Sequence, residues 1–227
     1  VCSVAAHEAA KKGDGPRFRV SAAAIRTVTS IDFSSGAHAD MERSAITAGF
    51  DWRPSRKWTL SVVGGALVGG ALSSRTGVHD MAPGPLFALT LSWRVVEQKA
   101  HGLPFVLFSL TGAGVFSRTK GPSMAAVPGR LAPPTAETSY TAFDLRFAGV
   151  VGTTLGSGML SVTPYAAGRL FGGPIFWDER GEEVTGTDSY KHQLGVGASL
   201  RLGPVDFFVE GAPVGERALT GGIGASF

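Results

Sequence analysis

The 227-residue chain has one cysteine, Cys2, so no internal disulfide is available to it. It has no run of 18 or more apolar residues, which excludes a transmembrane helix. Charged residues make up only 17%, below the roughly 25% of an ordinary soluble domain. The charges are scattered: net charge is +3, and no basic block is interleaved with aromatics, so nucleic acid is not an expected partner. What the chain has in excess is glycine, 32 of 227 residues, about twice the usual share. A mildly apolar, glycine-rich chain without a spanning helix is either a soluble all-β domain or a membrane β-barrel. Residues 1–16 end in Lys-Lys-Gly-Asp-Gly-Pro and read as an N-terminal tail or short helix outside the strands, with Cys2 either a remnant of a processing region or a lipid-attachment site.

From Arg17 the hydrophobic period is two. Ten strands are expected at roughly 17–30, 44–53, 58–72, 85–96, 104–117, 139–154, 159–171, 190–202, 205–212 and 216–227. In one, Phe87, Leu89, Leu91, Trp93 and Val95 oppose Ala88, Thr90, Ser92 and Arg94; in another, Phe143, Leu145, Phe147 and Val151 oppose Tyr140, Asp144 and Arg146. Short turns such as Arg53-Pro-Ser-Arg-Lys57 and Gly203-Pro204 alternate with longer polar segments at 31–43, 73–84, 118–138 and 172–189, which read as loops. An even strand count returns the chain to the side from which it started.

Two features separate a membrane barrel from a soluble one. Trp52, Trp58 and Trp93 all fall near the short turns on the apolar face, as interfacial aromatics do. The ions fall on the opposite, small-residue face: Arg19, Arg94, Arg146, Arg169, Lys191 and Arg201 with Asp51, Asp144, Asp206, Glu210 and Glu216. A soluble ligand-binding barrel inverts this. At mid-membrane a Lys or Arg on the lipid face costs about 2–4 kcal/mol, so these charges belong in the lumen. Arg26 and His192 lie on the apolar face, but toward the outer strand ends, where the cost falls to about 0–1 kcal/mol.

The final octet, Thr220-Gly-Gly-Ile-Gly-Ala-Ser-Phe227, alternates in the same way. Its Thr220, Gly222, Ala225 and Phe227 resemble the C-terminal signal read by the machinery that inserts outer-membrane barrels. Over residues 17–227 the chain resembles the small outer-membrane β-barrels of Gram-negative bacteria. The resemblance implies an all-β fold, a transmembrane antiparallel up-and-down β-barrel of about 10 strands. It also implies export through the periplasm and insertion by the barrel-assembly machinery, with both termini periplasmic. Outer-membrane lipid, lipopolysaccharide and other envelope proteins are then the expected partners.

Three functions compete. The near balance of inward charges favours a closed barrel acting as a structural or complex-forming component, with Asp144 and Glu210 each within reach of an inward arginine. Outward glycines such as Gly64, Gly70, Gly112 and Gly149 either lower the wall for a neighbour or ease strand curvature. A narrow, anion-leaning small-solute channel lined by Arg94, Arg146, Arg169 and Arg201 is the alternative. A hydrolase would draw on His38, Asp40, His79, Asp80, Asp178 and Asp188 in the outer segments. The His-x-Ser of lipid A deacylases and the paired Asp-x-Asp of omptins are both missing, so no catalytic residue, metal ligand or cofactor is expected. Trp177, set among Asp178, Glu179, Arg180, Glu182 and Glu183, reads as an exposed contact point or as a ring resting on the headgroups.

Overall fold

The computed structural model describes residues 17–75, 77–98, 103–121, 136–157, 159–179 and 182–227. The expected 1–16 tail and most of the proline-rich 118–138 segment lie outside the described residues. The strands are β1 (Phe18–Phe33), β2 (His38–Trp52), β3 (Trp58–Ser74), β4 (Gly77–Met81), β5 (Gly84–Val96), β6 (Phe105–Gly121) and β7 (Ala136–Gly152). They continue with β8 (Leu155–Ser157), β9 (Leu160–Gly172), β10 (Ile175–Glu179), β11 (Glu182–Asp188), β12 (His192–Leu202), β13 (Val205–Gly215) and β14 (Arg217–Ser226).

All pairings are antiparallel, and they close two stacked rings. The lower ring runs β1–β2–β3–β5–β6–β7–β9–β12–β13–β14 and back to β1, ten strands in all. The upper ring is narrower. The last hairpin stops at Gly215, whose positive φ of 78° makes the turn and whose missing side chain leaves room for the His192 carbonyl. Above that point β11 pairs with β1 through Ile31↔Asp188 to Phe33↔Gly186, and β10 pairs with β7 through Ile175↔Ala142 to Trp177↔Tyr140. With β4 bridging β3 and β6, eight strands close the top: β1, β2, β3, β4, β6, β7, β10 and β11.

Three segments expected to be loops, 31–43, 73–84 and 172–189, are therefore largely strand, and the described ends of 118–138 extend β6 and β7. The reason is a reversal of polarity. In the lower ring the outward residues are apolar and exposed: Val62, Phe87, Leu89, Leu91, Leu145, Val196 and Val209, for example. In the upper ring apolar side chains point inward. Ile31, Phe33, Met41, Leu67, Leu72, Met81, Tyr140, Ile175 and Trp177 form one buried cluster, while Asp32, Asp40 and Lys120 stay outside. Lipid solvates the lower wall and water the upper one, and the buried face changes accordingly. Trp177 is thus no exposed contact point; it is 1% exposed inside the upper ring. Gly70 also departs from the expected outward face. A bulge opposite Ser44/Ala45 shifts the register of β3, and Gly70 then packs inward against Arg43.

Aromatic rings bound the lipid-facing band at both edges. Phe18 stacks on Phe50 at 5.8 Å and meets Phe227 at 6.1 Å, while Trp58 stacks on Trp93 at 5.8 Å. A second belt, absent from the sequence-based expectation, joins Phe87, Phe116 and Phe143 with centroids 6.0 and 5.9 Å apart. On β6 the first belt is level with Phe108, the partner of Trp93. Eight residues from Phe108 to Phe116 span about 26 Å along the strand, or about 20 Å along the axis at a tilt of roughly 40°. Arg26, eight residues along β1 from Phe18, sits at the outer edge of this band, paired to Glu42 at 2.6 Å with both side chains largely exposed.

Candidate functional site: the barrel lumen

Inward charges gather in two tiers. In the lower tier Arg19 of β1 binds Asp51 of β2 at 3.0 Å and Asp206 of β13 at 2.6 Å. Arg19 is 2% exposed, and its guanidinium lies 5.6 Å from the Phe208 ring centroid. The period of two puts the three residues on one face, and β1 receives Asp51 from β2 on one side while β13 lies one strand further on the other.

The upper tier is a continuous network. Arg169 of β9 binds Glu210 of β13 at 2.6 Å and donates from Nη1 to Gln193 Oε1 at 2.8 Å. Gln193 Nε2 donates to the Glu216 backbone carbonyl at 2.8 Å. Glu216 accepts from Arg146 Nη1 at 3.3 Å, and Arg146 Nη2 lies 2.7 Å from Asp144 on the same strand. Arg146 also covers the Phe171 ring at 4.4 Å. Asp144 and Glu210 thus each meet one of the inward arginines. Arg43 joins from β2 by donating to Thr27 at 3.0 Å, and Asp188 accepts from Thr29 at 3.1 Å. Arg169, Glu210, Gln193 and Glu216 are all buried. Buried charges persist only when paired and hydrogen-bonded, which this lattice across the bore provides.

The remaining expected site residues are placed as follows. Arg94 lies over the Phe105 ring at 5.5 Å, and Arg201 donates from Nε to the Gly203 carbonyl at 2.9 Å, both near the short turns. Lys191 is a correction. It precedes β12, is exposed, and donates to Thr187 at 2.5 Å, outside the lumen network. Its alternation matches that of Gln193, but the strand ends before reaching it. Thr220 and Gly222 face the lumen; Ala225 and Phe227 share the outward face with Trp52, Trp58 and Trp93. Gln193 was read on the polar face of its strand but not in the charge network, and Arg43 and Arg53 were not singled out, although Arg43 has the inward parity of β2 and Arg53 continues it past the strand end.

The hydrolase residues do not converge. His38 Nδ1 is 2.8 Å from Asp32 and its Nε2 3.9 Å from Asp40, all three exposed on the outer rim. His79 instead packs edge-on to Trp177, with centroids 5.0 Å apart, and Asp188 faces the lumen. The Asp32 carboxyl is held below its ordinary range chiefly by the hydrogen bond with His38. Among the described residues no group of His, Cys, Asp and Glu has the arrangement of a metal site.

Among the described residues, cavities lie inside the bore at both tiers. One of about 140 Å³ lies at the lower tier among Arg19, Asp51, Ser61, Tyr165 and Ser199; one of about 200 Å³ lies among Arg43, Asp144, Arg146, Arg169 and Glu216. The apolar cluster of the upper ring stands above them.

No family model matches the chain, and no curated protein matches it. Solved structures do. The translocator domain of the autotransporter NalP from Neisseria meningitidis is similar with a TM-score of 0.52 and 13% identity, over 96% of this chain and 91% of that one. The outer membrane protein OprG from Pseudomonas aeruginosa matches with a TM-score of 0.46 and 10% identity, over 93% and 96%. The β domain of the Bordetella autotransporter BrkA matches with 0.44 and 16%, over 93% and 100%. The likeness is one of fold. With apolar belts outside and ions inside, the fold is that of an outer-membrane β-barrel.

Proposed function

We propose that the protein is a sealed barrel serving as a structural or complex-forming component of the outer membrane, without enzymatic activity. One observation carries this reading: the upper ring, whose wall the β10–β11 hairpin completes, is filled by a buried apolar cluster around Trp177. Small barrels of this kind fill their interior with side chains, whereas aqueous pores belong to barrels of 16 or more strands. The charge lattice below adds a second obstruction. The short turns face the periplasm in this reading and the apolar roof faces the cell exterior. Function then resides in the outer rim and the wall.

A narrow anion-leaning channel is the second reading, favoured by the arginines near the short turns. Planar-bilayer recordings of the refolded full chain decide between them. The sealed barrel gives no discrete steps after its insertion has been verified. Reproducible unitary steps with anion selectivity would replace it with the channel.

A further inference from the structure

The lipid-facing wall of the lower ring is uneven. Two neighbouring rows of outward residues cross β6, β7, β9 and β12. One runs Phe108↔Gly149↔Gly168↔Leu194, the other Val106↔Val151↔Ala166↔Val196. Gly149 and Gly168 meet at the centre with Ala166 beside them, so the wall drops there, while Phe108, Leu194 and Val196 stand exposed on either side. These residues and Pro213 of β13 line one groove of about 510 Å³, and every lining side chain is apolar. In the next row toward the upper ring, Phe147 and Leu170 are exposed and bound the groove on that side; Phe147 stacks on Phe108 at 5.7 Å. Behind the floor, on the inward face of the same strands, Leu107, Ala148, Val150, Tyr165 and Ala167 belong to one buried cluster. The floor is thus backed by packed side chains.

We infer that this groove seats one acyl chain of a membrane phospholipid. The occupant follows from continuity with the lipid-facing band: the groove is part of the wall that hydrocarbon covers, and it starts at Phe108, level with the belt beside the short turns. Its dimensions agree. The two rows lie about 7 Å apart along the strands, and the four strands they cross span about 14 Å. A methylene chain about 4 Å across fits between the rims and touches the floor. A helix, about 10–12 Å wide with its side chains, rests on Phe108 and Leu194 instead, as does the convex wall of a second barrel. With no polar side chain in the lining, the groove selects the chain and not the headgroup. A chain that misses the floor leaves a void there and forfeits dispersion contacts, which favours the seated position. With the short turns periplasmic, as proposed above, the lipid belongs to the inner leaflet; the seat itself does not depend on that orientation or on whether the lumen conducts.

The test is native mass spectrometry of the full chain, folded in micelles containing dipalmitoyl-phosphatidylethanolamine and then exchanged into pure detergent to strip loosely held lipid. One retained lipid per barrel is expected, with equal retention when dipalmitoyl-phosphatidylglycerol is the probe. Gly168→Leu fills the groove and lowers retention about fivefold or more by taking the contacts the chain would make. Gly168→Ala is the milder variant: its Cβ would lie 3.6 Å from Leu194 Cδ2, an ordinary contact, so the barrel folds and retention falls about twofold. Gly64→Leu, on the outward face of β3 with nothing within 4 Å of its Cβ position, is the control and leaves retention unchanged. No retained lipid, undiminished retention by folded Gly168→Leu, or retention of one headgroup alone overturns the seat. A dimer that Gly168→Leu abolishes also overturns it, by giving the groove to a second copy.

Discussion

Replacing Trp177 by alanine tests whether the upper ring is a sealed roof. Trp177 is 1% exposed, donates from Nε1 to Thr119 Oγ1 at 2.9 Å, and packs on Phe33 at 5.4 Å and His79 at 5.0 Å. Truncating a buried Trp to Ala typically costs about 3–5 kcal/mol. Here the loss falls on a hairpin joined to the rest by only short ladders: Ile31, Asp32 and Phe33 on β1, and Tyr140, Thr141 and Ala142 on β7. The ten-stranded ring beneath does not use Trp177, so the penalty is local. Thr119 retains its bond with Thr138 at 2.7 Å, so no new orphan is created there. A cost of about 3–5 kcal/mol multiplies the open population of the hairpin by roughly 10²–10³·⁵. Hydrogen exchange of amides in 175–179 and 182–188 reads this directly, with the 58–68 amides of β3 as internal reference. The expected result is acceleration by that factor in β10 and β11 and none in β3. Unchanged exchange in the hairpin of a folded Trp177→Ala barrel would refute the idea that this side chain fastens the roof.

Three further outcomes are expected. Removing one partner of the Arg169–Glu210 pair, as in Glu210→Gln, destabilises by about 3–5 kcal/mol in urea unfolding, while the paired replacement Arg169→Met with Glu210→Leu recovers most of it; additive losses would deny the coupling. On the lipid wall, Val62→Arg costs about 2–4 kcal/mol near the band centre and Val68→Arg about 0–1 kcal/mol near its outer edge, in the same assay. Equal costs at both depths would misplace the membrane. On the outer rim, hydrogen bonding from Lys120 at 2.8 Å holds the Glu137 carboxyl below its ordinary range, so whatever the pair contributes is present above the unfolded-state pKa and fades as pH falls through the folded one. Carboxyl NMR titration of Lys120→Gln shows Glu137 moving upward; an unmoved titration removes Lys120 as the cause.

The lower ring is legible in the sequence because bilayer and lumen impose opposite demands on alternate residues. Phe87, Leu89 and Leu91 against Ala88, Thr90 and Ser92 read correctly without coordinates. The upper ring was not legible for the same reason in reverse. Ala39 and Met41 alternate with His38, Asp40 and Glu42, but the polar residues now face water and the apolar ones the core. A search for apolar-outward strands discards such a segment as a polar loop. Gly70 was misplaced by a single bulge, which no alternation pattern can anticipate. Lys191 kept the parity of the lumen row but fell beyond the strand end. Arg19, Asp51 and Asp206 were placed on one face by their spacing; that Arg19 would reach both carboxylates required the closure of β1 on β14.

The central claim is that alternate residues of the lower ring face hydrocarbon and lumen. Single cysteines placed along 86–91 of β5, in a background where Cys2 is replaced, can carry a fluorophore in vesicles containing brominated lipid. The account predicts strong quenching at positions 87, 89 and 91 and weak quenching at 86, 88 and 90. Uniform quenching, or the opposite alternation, would contradict it.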